Sequence, residues 1–285
     1  LVPWKAVIVR RSWPHAATTR TLATWLGILV LITVLTGVLH AIGVAPLSML
    51  LVHVAVAVCA APLLLVHAWG RRQRPRRADL SRRTLLKAGG LAAGAAALWG
   101  MGEGALRLTG APGADRRGTG SLERGTDDPT AMPVTQWFTD TVPETIGDAI
   151  TVVVGGQEAR IPIRDLGRHD RVRAVLDCTG GWYAAQDWAG VRLDRLLGEV
   201  TGEALPGDGS IDVISRTGYR RRLPLRDAPA LLLATSAAGK PLSAGHGAPV
   251  RLVAPGRRGF WWVKWVERIE VVDAPWWRQP PFPLQ

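Results

Sequence analysis

Between Arg20 and Arg71 the chain carries no Asp, Glu, Lys or Arg. A run of that length is too long for one bilayer crossing of about 20 residues, but it accommodates two crossings joined by a tight turn. Ala45-Pro46 stands near its middle and marks the turn, because proline lacks a backbone donor and restricts the residue before it. The pattern predicts transmembrane helices over 21–42 and 47–69. Their shared loop is uncharged whereas both outer flanks are rich in Arg, so the positive-inside rule puts the flanks in the cytoplasm and the hairpin tip outside.

The overall balance, 35 Lys and Arg against 23 Asp and Glu, would suit a nucleic-acid binder if the excess were spread over the chain. It is not. Up to Met101 there are twelve basic residues and a single acid, Asp79, while the remainder is nearly neutral. Charge concentrated beside apolar segments is a signal of membrane topology, and nucleic acid is excluded as a partner. The lipid bilayer takes its place.

Ser81-Arg82-Arg83-Thr84-Leu85-Leu86-Lys87 follows the basic loop and leads into an Ala/Gly-rich stretch. This resembles a twin-arginine export signal, retained as an anchor; the plainer reading is a third membrane helix over about 85–102. Both readings put the rest of the chain outside the cytoplasm. Residues 1–109 then form a membrane anchor. Residues 110–133, dense in Gly, Pro, Thr, Asp and Arg without apolar periodicity, read as a linker. A folded domain is expected over 134–285, its compact part from Val134 to about Asp273.

Within that domain, 149–154 alternates with β-branched residues and ends at Gly155-Gly156, a strand and turn. Further short strands are predicted at 160–163, 173–177, 211–215, 219–225, 231–235, 250–254 and 263–272. The segment 191–200 places Val191, Leu193, Leu196, Leu197 and Val200 on one helical face. Many short strands with one or two helices make a mixed-sheet α+β domain whose core lies between sheets.

Two segments carry chemistry. Asp177-Cys178-Thr179-Gly180-Gly181-Trp182 places a cysteine at the end of an apolar strand, with two glycines that let other backbone approach closely. Cys59 lies inside the second membrane span, so Cys178 is expected as a thiol rather than half of a disulfide, suited to act as a thiolate metal ligand. There is no CxxC and no nearby His pair, which argues against a four-ligand zinc site and towards a metal that brings an organic chelate. The second segment runs from His246 to Trp265 and sets His246, Arg251 and Lys264 around turns made by Gly and Pro, a donor set for a phosphate and polar ring edges. The blander alternatives are a buried inert thiol at Cys178 and surface charge at Arg251 and Lys264. The tryptophans (Trp261, Trp262, Trp265, Trp276, Trp277) read as packing or as an interfacial belt.

Together these segments resemble the molybdopterin-binding domain of the sulfite-oxidase superfamily. That family ends a strand with a cysteine, uses a Trp-x-Gly-Val turn (here Trp188 to Val191), and carries an HGxPxR…PGxxGxxxVKW run. His246, Gly247, Pro249, Arg251, Pro255, Gly256, Gly259, Val263, Lys264 and Trp265 match that run without gaps. The segment from Tyr219 to Leu225 resembles the family's GY…PL stretch. The resemblance implies a molybdenum–molybdopterin cofactor, with Cys178 as the protein's ligand to molybdenum and the catalytic residue. It also implies that Arg251 and Lys264 hold the pterin or its phosphate, that His246 meets a pterin edge, and that Thr217 is a further contact. Departures include the absence of a cation after the cysteine, of an Asn-containing N-terminal pterin motif (Thr135–Thr139 stands in its place) and of a C-terminal immunoglobulin-like domain. They bring the chain closer to bacterial MsrP-type reductases than to sulfite oxidases.

His40 and His53 fall at similar depth near the outer ends of the two spans, and polar rings in lipid call for partners. They are candidate axial ligands of a b-type haem; interfacial hydrogen bonding is the alternative. The expectation is thus a membrane-anchored oxidoreductase that transfers oxygen atoms or electrons to a small-molecule substrate. S- or N-oxide reduction with quinol-derived electrons, taken directly or through a haem-bearing membrane subunit, is the favoured direction. A cofactor-free surface binding module on the same scaffold is the alternative.

Overall fold

The computed structural model describes residues 17–69, 81–137, 140–145, 147–202 and 208–282. They divide into two compact units, Leu1–Leu122 and Glu123–Gln285. The Arg-rich flank around 70–80 lies outside the described residues.

In the first unit, α1 (Ala17–Ala41) and α2 (Met49–Trp69) form the expected hairpin, and both are long and apolar enough to cross a membrane. Few of their residues are fully buried, unlike those of core helices in a soluble fold. Thr33 and Thr36 donate their hydroxyls back to Leu29 O and Ile32 O, each at 2.8 Å, which satisfies these polar groups within apolar helix. Helix α3 (Arg82–Leu108) covers and extends the third segment. Ser81 caps it, accepting from the Thr84 amide, and none of its residues is buried.

The stretch 110–122 is not the linker that its composition predicts. It packs on the hairpin tip: Pro112 lies against Gly43, Gly113 against the Ala41 backbone, and Gly120 against Leu50. His40 Nε2 meets Gly120 O at 2.9 Å. Residues 123–133 are likewise built into the second unit. Arg124 N donates to Tyr183 O (2.9 Å), Asp127 N to Ala185 O (3.0 Å), and Arg173 pairs with Asp127 at 2.6 Å. Glycines and aspartates here supply tight turns with positive φ at Gly120, Gly125 and Asp127, so the segment is held by backbone hydrogen bonds rather than by an apolar stripe.

The second unit is mixed α+β. One sheet pairs β3 (Asp170–Asp177), β4 (Trp182–Arg192), β7 (Leu232–Ala237) and β9 (Arg251–Val253) in that order, with β8 (Lys240–Pro241) on β7. The other runs β2 (Gln157–Pro162), β1 (Ala149–Val154), β10 (Val266–Val272), β5 (Ser210–Ser215), β6 (Arg220–Pro224). It is mixed because β10 lies parallel to β1 and antiparallel to β5. Ile150, Val152, Ile211, Val213, Leu223 and Ile269 form its fully buried face, the alternation expected of half-buried strands.

Three departures from the sequence expectation matter. The central strand β4 was not expected, since its Ala-Ala-Gln-Asp run has weak strand preference. It forms because it pairs along its length with β3 and then with β7. Its pairing continues through Arg192, so α4 begins at Leu193 (Leu193–Thr201) rather than at Val191. Strand β10 starts at Val266, because Trp265 turns out of line with φ 50° and leaves Lys264 aimed away from the sheet.

Candidate active site

Strand β3 ends at Asp177, and a tight turn returns the chain into β4: Cys178 N donates to Trp182 O at 2.8 Å and Gly181 N to Cys178 O at 3.2 Å. Gly181 takes φ 88°, which an L side chain resists. The cysteine is therefore carried on a turn fixed at both ends. Gly180 N lies 3.4 Å from its sulfur. Twelve residues on, Gly190 faces β7 so closely that a Cβ would run into the Leu233 carbonyl. That contact is the physical reason for glycine in the Trp-x-Gly-Val segment.

An open cleft brings Cys178, His246, Arg251 and Lys264 together. Arg251, the first residue of β9, is only 1% exposed. Its guanidinium lies over the rings of Trp188 (5.2 Å) and Trp262 (5.6 Å), and Nη1 donates to His246 O at 3.0 Å. Its Nε is buried with no hydrogen bond. Burial brings the Arg251 pKa down to about 10. His246 is fixed through Nδ1 on Ser243 Oγ (2.8 Å), while its Nε2 is sealed from solvent without a well-formed hydrogen bond. Burial, then the charges of Arg251 and Lys264, lower its pKa, with the carbonyls of Pro133 and Met132 acting weakly the other way. Lys264 Nζ donates to Thr135 O (2.8 Å) and Gly245 O (2.6 Å), and burial followed by repulsion from Arg251 drops its pKa to about 7.

None of the ion pairs among the described residues includes Arg251 or Lys264. Three nitrogen bases thus converge in a desolvated cleft, two of them bonded to protein only through neutral carbonyls. A buried donor left without a hydrogen bond, such as Arg251 Nε, is costly unless an anion completes it, and Cys178 and Asp140 offset only part of the positive charge here. The donor set fits a phosphorylated organic chelate whose metal is bound by the one thiol on the same wall. Among the described residues no group of three or more His, Cys, Asp or Glu side chains could hold a metal, and Cys178 is the thiol that lines this cleft.

The other side of the cleft is aromatic. Trp137 and Tyr219 meet edge to face at 6.5 Å, the Tyr219 hydroxyl donates to Phe260 O at 2.5 Å, and Asp140 stands nearby. Burial raises the Tyr219 pKa well above that of an ordinary phenol. Thr135 is drawn in too, its Oγ1 accepting from Trp182 Nε1 at 2.9 Å. Thr217 does not line this cleft: it is exposed, with Oγ1 3.0 Å from Ser215 Oγ. Of the tryptophans read as packing, Trp262 lines the cleft and backs Arg251, whereas Trp277 is 67% exposed. Sequence reasoning missed Trp137, Tyr219 and Phe260 as wall residues, because each comes from a different loop or strand end and no spacing links them.

In the first unit, His53 Nδ1 lies 2.9 Å from Thr33 O and 3.2 Å from Thr36 Oγ1, and Nε2 of His40 is spent on Gly120 O. One nitrogen of each ring is bonded to protein oxygen and His40 Nδ1 is buried without a hydrogen bond; no further observation among the described residues of this unit supports the haem expected from the sequence.

Residues 141–279 match the family described as "Oxidoreductase molybdopterin binding domain". Human mitochondrial sulfite oxidase is 28% identical over 160 residues, 45% of this chain and 29% of that protein. The protein-methionine-sulfoxide reductase catalytic subunit MsrP of Xanthomonas campestris pv. campestris is 33% identical over 117 residues, 34% of this chain and 35% of that one. The NADPH nitrate reductase of Mycosarcoma maydis is 46% identical over 57 residues, 20% of this chain and 6% of the relative. The chain thus spans little more than a third of these relatives at most. Residues 141–279 are thus similar to the molybdopterin-binding oxidoreductase domains of sulfite oxidase and MsrP, and two helices long and apolar enough to cross a membrane precede them.

Proposed function

We propose that this protein is a membrane-anchored molybdenum–pterin oxidoreductase working on the extracytoplasmic side, which reduces small S- or N-oxides with electrons derived from quinol. The observation that carries the reading is the convergence of Cys178 with His246, Arg251 and Lys264 on one cleft. Cys178 would ligate the metal, Arg251 and Lys264 would hold the phosphate and polar edge of the pterin, and His246 would offer Nε2 to the ring, its orientation fixed by Ser243. The bound group supplies two-electron oxygen-atom exchange. The chain supplies the pocket: the wall of Trp137, Tyr219 and Phe260, with Asp140 beside it and no cation in the Thr179–Gly181 turn, favours a neutral polar oxide over an oxyanion such as sulfite. The names of the three relatives all describe reactions at sulfur or nitrogen oxides.

The orientation rests on the path of the chain. Trp69 ends α2 at the base of the hairpin, about 30 Å from its tip at 1.5 Å per residue, yet 112–120 packs on the tip. If α1 and α2 cross the bilayer, the connection must cross again, and α3 is about 40 Å long at the same rise. Lys87 and the Arg pair stand at its base end, and Glu103 near the tip is neutralised by Arg116. With the Arg-rich flank inside, the tip and the domain that follows it face outward. Arg82 and Arg83 are read as a twin-arginine signal at the start of this helix. The hairpin is taken as an anchor without haem, with electrons arriving from quinol through a partner subunit.

Full-length protein purified in detergent from cells that make the cofactor should contain one molybdenum per chain, and Cys178→Ser should lose activity and change the metal's spectrum. Turnover with sulfoxides or amine oxides should exceed that with sulfite. Metal-free protein exported by its native route would favour the binding-module reading, and sulfite oxidation as the fastest reaction would reverse the proposed direction.

A further inference from the structure

We infer that Arg258 is a positioning residue for Cys178, clamping the cysteine turn onto the loop that leads to Lys264. Arg258 Nη1 lies 2.6 Å from Asp177 Oδ1, and Nη2 lies 3.4 Å from the Cys178 carbonyl oxygen. The two chains also meet as an isolated backbone bridge between Asp177 and Arg258. The next residue, Gly259, sits so close that a Cβ would be 3.0 Å from Cys178 Cα and 3.1 Å from Asp177 O. The Asp177 side chain is 8% exposed and that of Arg258 29%, so the pair is shielded and anchored rather than a loose surface contact. Its neighbour Arg257 points elsewhere, pairing with Asp227 at 2.5 Å, which leaves the task to Arg258 alone of the two.

The geometry has a purpose that packing alone does not explain. A turn of four residues held only by its own hydrogen bonds can rock about its two strand ends, and its sulfur would rock with it. From outside the turn, Arg258 holds the Asp177 carboxylate on one side of the Cys178 amide and the Cys178 carbonyl on the other. It also joins the two segments that build the site, because the loop it belongs to continues through Phe260 and Trp262 on the cleft wall to Lys264. A ligand sulfur must be held to a small fraction of an ångström for a reproducible metal geometry, and residues behind the ligand do that.

This inference rests on Cys178 being the metal ligand, and the tests separate the two. In a Cys59→Ser background, the full chain is prepared from cells with and without cofactor synthesis, carrying Arg258→Gln, Arg258→Lys or the charge-neutral pair Asp177→Asn with Arg258→Gln. The pair guards against misfolding caused by a lone buried carboxylate. In cofactor-free protein, alkylation of Cys178 by iodoacetamide should be at least about fivefold faster in Arg258→Gln and in the pair, because the released turn exposes the thiol. In loaded protein the molybdenum content should persist, the Mo(V) resonance should broaden into a mixture of geometries, and kcat should fall about 10- to 100-fold with KM little changed. Arg258→Lys should restore part of each signal. Wild-type alkylation and wild-type resonance in both Arg258→Gln and the pair would overturn the inference. A Cys178→Ser protein with unchanged metal spectrum would instead overturn the ligand assignment.

Discussion

Lys264→Met should make the cofactor-free protein more stable near neutral pH while depriving it of its cofactor. Lys264 is held by two carbonyls beside Arg251, and its pKa falls from 10.5 to about 7, chiefly through burial. Below pH 7 the lysine is charged in both the folded and the unfolded chain, so the full cost of burying that charge is present. Between pH 7 and 10.5 the unfolded chain holds the proton and the folded one does not, so the cost fades as pH rises. At about 1.36 kcal/mol per pH unit, the interval from 10.5 to about 7 sets a ceiling of about 5 kcal/mol. Water in the cleft screens part of it, which leaves a gain of about 2–3 kcal/mol for methionine at pH 6–7, reduced by the two carbonyls it leaves unbonded. Urea transitions of the full-length protein, followed by near-ultraviolet circular dichroism at pH 6, 8 and 10, would measure it. Wild type should gain stability with pH and Lys264→Met should stay flat, the curves closing towards pH 10. Parallel curves, or a mutant weaker by several kcal/mol at pH 6, would refute the idea that Lys264 is a strained cation awaiting an anion.

Three other outcomes follow from particular residues. Gly190→Ala should destabilise the second unit by about 3 kcal/mol, because its methyl meets the Leu233 backbone of a central strand that cannot retreat; thermal unfolding would show it. Arg82→Lys with Arg83→Lys should strand the second unit inside the cell although the charge is kept, measured by protease access to intact cells; normal exposure would leave α3 as an ordinary membrane helix. Purified protein from haem-replete cells should show no reducible b-type absorption band, and a band abolished by His40→Ala or His53→Ala would reinstate the haem.

The sheets, the hairpin and the donor set were legible in the sequence for different reasons. Strands such as 149–154 and 211–215 declare themselves by alternation, and the membrane helices by absence of charge. Cys178, His246, Arg251 and Lys264 stood out by their places beside glycines and prolines in two segments, and the structure brings all four to one cleft. What escaped was relational. The strand from Trp182 to Arg192 exists because two neighbours pair with it, not because its own residues prefer it. The segment 110–133 looked like a linker because glycine-, proline- and aspartate-rich chain is ambiguous between a free tether and a series of fixed turns. The aromatic wall and the Asp177–Arg258 clamp join residues far apart in the chain, and only the fold reveals such neighbours.

The edge of the second sheet has a quieter consequence. Strand β6 lies at its border, and the Gln279 side chain docks there as if it were one residue of a further strand: Oε1 accepts from Arg222 N at 3.0 Å and Nε2 donates to Arg222 O at 2.7 Å. The opposite border, β2, carries Glu158 and Arg160 and closes on Pro162. Open sheet borders invite a second molecule to add a strand, and so to polymerise. A protein crowded into the plane of a membrane meets its own copies at far higher local density than one diluted in solution. One amide plugging one border and charge with proline guarding the other disfavour strand addition between such neighbours.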